Sequence, residues 1–203
     1  MAINKALFTS NKSDWCTPPE ILKYVYEFFP GGIRLDPCSN SASLVVASTA
    51  MDGSPGKDGL TANWYDIAGG YHDDSGVFVN PPYGKTTMAP WINKIVKESH
   101  DLEILALIPA RTSNKWWMMI SDTEAHVCFI QQRVTFVGAK SGAPFPSAMV
   151  YFGRWGRSVD RFCDVFRRLG PVYGREWSTA QHEERRNERL IRGGLLYGPA
   201  QQT

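Results

Sequence analysis

The chain has 203 residues, a length that fits one domain, and its 43% apolar content argues for a globular core rather than a disordered chain. The net charge of +2 is too small to announce a polyanion partner, and no stretch approaches the ~20 apolar residues needed to cross a bilayer. Four scattered cysteines, Cys16, Cys38, Cys128 and Cys163, form no Cys-x-x-Cys pair, which argues against a zinc ribbon or a disulfide scaffold and for reduced thiols.

The first dozen residues read as a loose arm, and the polar segment Met1 to Trp15 lacks a signal-peptide apolar run, so a soluble cytoplasmic protein is expected. Thr17 is a good helix cap, and Pro18-Pro19 suit a first helical turn. Ile21, Leu22, Val25, Phe28 and Phe29 then recur at helical spacing, predicting a helix over 20–29 that ends at Pro30-Gly31-Gly32. Ile33 to Leu35 is a short strand running into Asp36-Pro37. Residues 39–76 are rich in Ser, Gly, Asp and Asn, with one apolar patch at Leu44 to Ala47, and predict weak secondary structure and long loops.

Val77-Phe78-Val79 is a continuous apolar triplet, as in a buried parallel strand, and Asn80-Pro81-Pro82-Tyr83-Gly84 follows at once. Next come a helix over 88–99, a buried strand over 104–108 and a helix over 113–120. Strands are predicted over 125–130, 133–137 and 148–152, and helices over 159–169 and 180–191. Alternating strands and helices predict an α/β fold with a mainly parallel sheet and an antiparallel hairpin at its edge. In such sheets ligands bind beyond the carboxyl ends of the strands, and Asp36 and Asn80 both follow a predicted strand.

Charge is unevenly distributed. Residues 1–150 carry 12 Lys/Arg and 14 Asp/Glu, whereas 151–203 carry 10 Arg, no Lys and 6 Asp/Glu. An Arg-rich helical extension of the same domain, over 153–203, is a phosphate-binding candidate or a solvated helical face.

The tetrapeptide Asn80-Pro81-Pro82-Tyr83 has a specific chemical capacity. Its prolines stiffen the loop and lack N–H groups, so the Pro81 carbonyl can face a ligand without a competing donor. The Asn80 amide oxygen is a second acceptor. Two fixed acceptors suit a planar amine with two N–H donors, and Tyr83 offers a flat face on which a base can stack.

This loop resembles motif IV of the amino-methyltransferases, and its surroundings resemble the small phage-type DNA N6-adenine methyltransferases of the Dam family. The matching pieces run in order: Asp14 to Pro18, Leu35 to Cys38, Asp58 to Leu60 with Trp64, Phe78 to Gly84, Leu107 to Thr112, and Ala143 to Ala148. The resemblance implies a Rossmann-like S-adenosylmethionine-dependent methyltransferase fold, S-adenosylmethionine as methyl donor, double-stranded DNA as substrate, and a bacterial host cytoplasm for a phage- or prophage-encoded enzyme. It implies catalysis by Asn80, Pro81, Pro82 and Tyr83. Asp36, Pro37 and Cys38 would meet the amino-acid part of the cofactor, with Trp15, Thr17 and Pro18 packed around that end, Asp58 near its adenine, and Asn80 also in contact.

Each residue has a plainer alternative: Thr17 as a helix cap, Asp36 as a turn residue, Asp58-Gly59 as an ordinary turn. One departure stands out, since no glycine-rich turn follows the first strand; the sequence there is Asp36-Pro37-Cys38-Ser39-Asn40-Ser41. Arg111, Thr112 and Lys115, beside Trp116-Trp117, are DNA-binding candidates, although the tryptophans suit a core equally well. Phe145, within Pro144 to Ser147, either lines the target-base pocket or shapes a hairpin. His72, His100, His126 and His182 show no metal-ligand spacing, and the chemistry needs no metal. Base readout is expected from 39–76, from the loop 138–147 or from the Arg-rich segment. Amine methylation of cytosine, of RNA adenine or of a protein glutamine remains an alternative, as does an inactive DNA-binding relative.

Overall fold

The computed structural model describes residues 15–72, 74–153 and 156–174. The loose arm and the helix expected over 180–191 lie outside these residues. No helix among the described residues is long and apolar enough to cross a membrane.

The elements follow in the order α1 (Pro19–Phe28), β1 (Ile33–Asp36), β2 (Ala47–Ala50), α2 (Trp64–Ala68), β3 (Gly76–Val79), α3 (Met88–Glu98), β4 (Ile104–Pro109), α4 (Lys115–Ser121), β5 (His126–Phe129), β6 (Ser147–Phe152), α5 (Gly156–Phe166) and β7 (Val172–Tyr173). One seven-stranded sheet has the order β2-β1-β3-β4-β6-β5-β7. Its first four strands are parallel, and β6, β5 and β7 extend it in antiparallel pairs. The α/β class, the parallel core and the antiparallel edge agree with the sequence.

Every residue of β3, β4 and β6 is buried, so both faces of the middle of the sheet are covered. Phe28 of α1 meets Phe162 and Phe166 of α5, and both helices pack on Tyr151 of β6. A second group joins α2 to α3 through Trp64 and Trp91, their ring centroids 6.4 Å apart. Trp64 is fully buried, and rings of this size remove a large apolar area from water.

The chain leaves β1 for β2 on one side and returns to lay β3 on the other. The order therefore reverses between β1 and β3, and a crevice opens beyond their carboxyl ends. Asp36 ends β1 and Asn80 follows β3, so both stand at this crevice.

The structure sharpens one reading, changes two and adds a strand. Within 39–76 the weak secondary structure consists of one four-residue strand and one five-residue helix between loops. β2 is built from Ala, Ser and Thr, and α2 has only five residues, too few to display a helical period. Asn63 caps α2, its Oδ1 accepting from the N–H groups of Tyr65 and Asp66, and Gly69 ends it with a φ of 76°. The segment 133–137 is not a strand. Val134 and Phe136 are buried while Arg133, Thr135 and Val137 are exposed, so the alternation is present, but among the described residues no strand pairs with it. The cap of α1 is Pro18, not Thr17, and α1 has no side-chain cap bond. The two-residue β7 carried no readable signal.

Candidate active site

A cleft of about 320 Å³ opens at the reversal point. Trp15, Thr17, Asp36, Pro37, Cys38, Asp58, Asn80 and Pro82 all line it, so most residues expected around a cofactor come together. Pro18 and Pro81 are buried and do not line it. Asn40, Ser43, Met51, Asp52 and Trp91 also belong to the wall and carried no site assignment in the sequence. They come from the stretch 39–76 and from α3, where only folding reveals their convergence.

Asn80 is held by its amide nitrogen. Nδ2 donates to the Trp15 carbonyl and to Thr17 Oγ1, the latter at 2.9 Å. A carbonyl can only accept, so this network fixes which end of the amide is nitrogen. The remaining atom, Oδ1, is buried and has no hydrogen-bond partner among the described residues. An unsatisfied buried acceptor costs about 1–3 kcal/mol, and this one belongs to a residue that lines the cleft. Thr17 thus orients Asn80 rather than capping α1.

Asp36 is only 3% exposed. Burial pushes its carboxyl up to about 6, against hydrogen bonds from the Cys38 N–H and from Ser39 and Ser43. The Cys38 N–H donates to Asp36 Oδ1 at 3.2 Å, so this turn is closed by a side chain where a glycine-rich turn would use backbone alone. The buried carboxylate favours a cation in the cleft. Burial, with Asp36 close by, pushes the Cys38 thiol well above the usual range, so it is no nucleophile at neutral pH.

The close approach usually given by a glycine after the first strand comes here from Gly59. A Cβ on Gly59 would lie 1.9 Å from the Pro37 carbonyl oxygen, so the 58–60 turn sits directly against the 36–38 turn. Trp64 Nε1 donates to the Gly59 carbonyl at 2.7 Å, and Lys94 Nζ donates to the Ala62 carbonyl at 2.6 Å, so α2 and α3 pin this turn. Asp58 closes it, accepting from the Leu60 N–H at 3.0 Å and from Thr61 Oγ1 at 3.0 Å, and is both a turn residue and a wall of the cleft. Gly59→Ala should lower stability by about 1–3 kcal/mol, because backbone must move, and should weaken cofactor binding; thermal unfolding and calorimetry read the two effects.

Tyr83 is 7% exposed, and its hydroxyl donates to the Leu107 carbonyl at 2.9 Å. Burial holds its phenol well above the usual range, hence neutral. Its ring meets Phe136 and Phe145 edge-on at 5.8 and 5.6 Å, and Trp15 meets the same two rings at 5.2 and 5.4 Å. Phe145 is therefore packed beside the tetrapeptide, and the Arg111 guanidinium lies over its ring, 5.2 Å from the centre. Thr112 and Lys115 are exposed nearby in sequence, whereas Trp116 and Trp117 are buried core residues.

Residues 5–150, well over half of the chain, match the family described as DNA N-6-adenine-methyltransferase (Dam). The chain belongs to this family. It is a DNA N6-adenine methyltransferase, and the Dam family implies dependence on S-adenosylmethionine. No curated protein and no solved structure matches the chain. The matched span of this Dam enzyme includes both strand ends that meet at the cleft and the loop carrying Phe145. Among the described residues no cluster of His, Cys, Asp and Glu could hold a metal ion.

Proposed function

We propose that this Dam enzyme transfers the methyl group of S-adenosylmethionine to the 6-amino group of adenine in double-stranded DNA, within a bacterial cytoplasm, and that the cleft between Asp36 and Asn80 binds the donor. The observation that carries this reading is the Asn80 amide, whose nitrogen is fully engaged while Oδ1 is buried without a partner among the described residues.

The cleft suits the cofactor. The buried Asp36 carboxylate matches its ammonium, and the turn made by Asp58 and Gly59 supplies a wall for its adenine. Pro37, Cys38, Trp15 and Thr17 line the same space, and Pro18 positions the strip from Trp15 to Thr17. When bound, the cofactor supplies an electrophilic sulfonium methyl.

The target adenine has to leave the helix, because its amine is neither accessible nor correctly aligned while paired and stacked. Asn80 Oδ1 accepts one amine N–H, and the Pro81 carbonyl accepts the other. Held this way, the nitrogen lone pair is directed at the donor, and positioning supplies much of the rate. Pro82 stiffens the loop, and Tyr83, steadied through Leu107, gives the base a face. Arg111, Thr112, Lys115 and Phe145 contact the DNA. Direct transfer to nitrogen needs no covalent enzyme intermediate, so no cysteine has to act as a nucleophile, and burial keeps Cys38 a neutral thiol.

The test is transfer of radiolabelled methyl from S-adenosylmethionine to duplex DNA, single-stranded DNA, RNA and protein offered separately. Label should enter duplex DNA fastest. Faster labelling of RNA or protein would overturn the substrate assignment.

A further inference from the structure

The loop between β5 and β6 has a geometry that the catalytic reading does not use. β4 and β5 both run antiparallel to β6, with Pro109 opposite Ser147 and Phe129 opposite Ala148. The loop therefore emerges at the same end of the sheet as Asp36 and Asn80. The Ala143 N–H donates to the Val134 carbonyl at 2.9 Å, closing residues 134–143 into a loop with joined ends. At its tip the Ala139 N–H donates to the Phe136 carbonyl at 2.9 Å, forming a tight turn with Gly138 at a φ of 76°.

This turn is tied to the catalytic residues from both sides. Phe136 is buried against Tyr83 and Trp15. The Val137 N–H donates at 3.0 Å to the carbonyl of Cys16, which lies between the two residues that hold Asn80. Val137 is the second residue of this turn and is 38% exposed, whereas its neighbour Phe136 is buried.

The charge around it is of one sign. Residues 104–121 and 125–153 contain no Asp or Glu, yet Arg111, Lys115, Arg133 and Lys140 are all exposed there. The rest of residues 1–150 carries eight Lys/Arg against fourteen Asp/Glu. The two loops are joined by the Ala110 N–H donating to the Pro146 carbonyl at 2.8 Å, and by Arg111 over Phe145. An acid-free rim carrying cations around an exposed apolar tip fits a polyphosphate backbone outside and a gap between bases inside.

We infer that the turn 136–139 enters the duplex at the target site and that Val137 fills the space vacated by the extruded adenine, with Arg133 and Lys140 on the flanking phosphates. This rests on the reading of the chain as a duplex-DNA enzyme. Val137 lowers the cost of extrusion, while Phe136 and the Cys16 carbonyl keep the wedge in register with Asn80.

The experiment uses Val137→Ser in the full chain, on a duplex carrying a site mapped from plasmid methylated by the wild-type enzyme. Cofactor affinity should equal wild type. On the paired duplex kcat/KM should fall about tenfold, and 2-aminopurine at the target should lose its fluorescence rise on binding. On a duplex with the target adenine mispaired, where extrusion is cheap, activity should return to within about twofold. Unchanged activity and fluorescence on the paired duplex, or equal loss on both duplexes, overturns the wedge. A wild-type enzyme that leaves plasmid unmethylated overturns the reading beneath it and the wedge with it.

Discussion

Asn80→Ala should reduce methyl transfer by at least about a thousandfold while the chain remains folded. The substitution removes the only acceptor of that amide, Oδ1, which has no partner among the described residues. It also removes the donor that ties Trp15 and Thr17 to the end of β3. The second loss costs stability of about 1–3 kcal/mol, because the Trp15 carbonyl is left without its bond, and Tm should drop by about 2–4 °C for each kcal/mol. Single-turnover kinetics with circular dichroism separates the effects. A variant that keeps near-normal turnover would remove the tetrapeptide from the mechanism, whatever its Tm.

Asp36→Asn should move stability and binding in opposite directions. The carboxyl rises from the ordinary 3.8 to about 6 because folding buries it. Between those values the native state holds a proton that the unfolded chain has released, so stability falls as pH rises through this window. Above about 6 the penalty is complete, and the interval corresponds to at most ~3 kcal/mol. Asn carries no charge, so the variant should melt higher than wild type at pH 7–8, and the difference should vanish below about pH 4. It should bind S-adenosylmethionine about 10- to 100-fold more weakly at pH 7–8, having lost a charge-assisted hydrogen bond. Wild-type affinity should weaken as pH drops below about 6, and the variant's should lack that dependence. Calorimetry at several pH values measures both, and a variant that binds as tightly as wild type at pH 8 would show that Asp36 does not meet the ammonium.

The fold was legible wherever burial imposed a period. α1, β3, α3, β4 and β6 carry continuous or periodic apolar residues because each buries a face or both sides. β2 and α2 were hidden because an edge strand of small residues and a five-residue helix are fixed by neighbours and caps, not by their own pattern. Val134 to Val137 misled for the opposite reason, since its alternation reflects packing of Val134 and Phe136 in a loop with no partner strand among the described residues.

In the site, Asp36 and Asn80 could be placed from chain position alone, since both follow strands that flank the reversal of strand order. The bonding state of Asn80 could not, because it depends on Trp15 and Thr17, more than sixty residues earlier in the chain. Thr17 read as a cap because its local context suits one; the long-range bond to Asn80 prevails. Gly59 stands in the Asp58 to Leu60 piece of the family resemblance, but its packing role appears only once the Pro37 carbonyl is found against it.

The most direct measurement is nucleoside mass spectrometry of plasmid DNA incubated with the enzyme and S-adenosylmethionine. N6-methyladenine should appear with the wild-type chain and be absent with Asn80→Ala. N4-methylcytosine, or DNA left unmodified by the wild-type enzyme, would contradict the account.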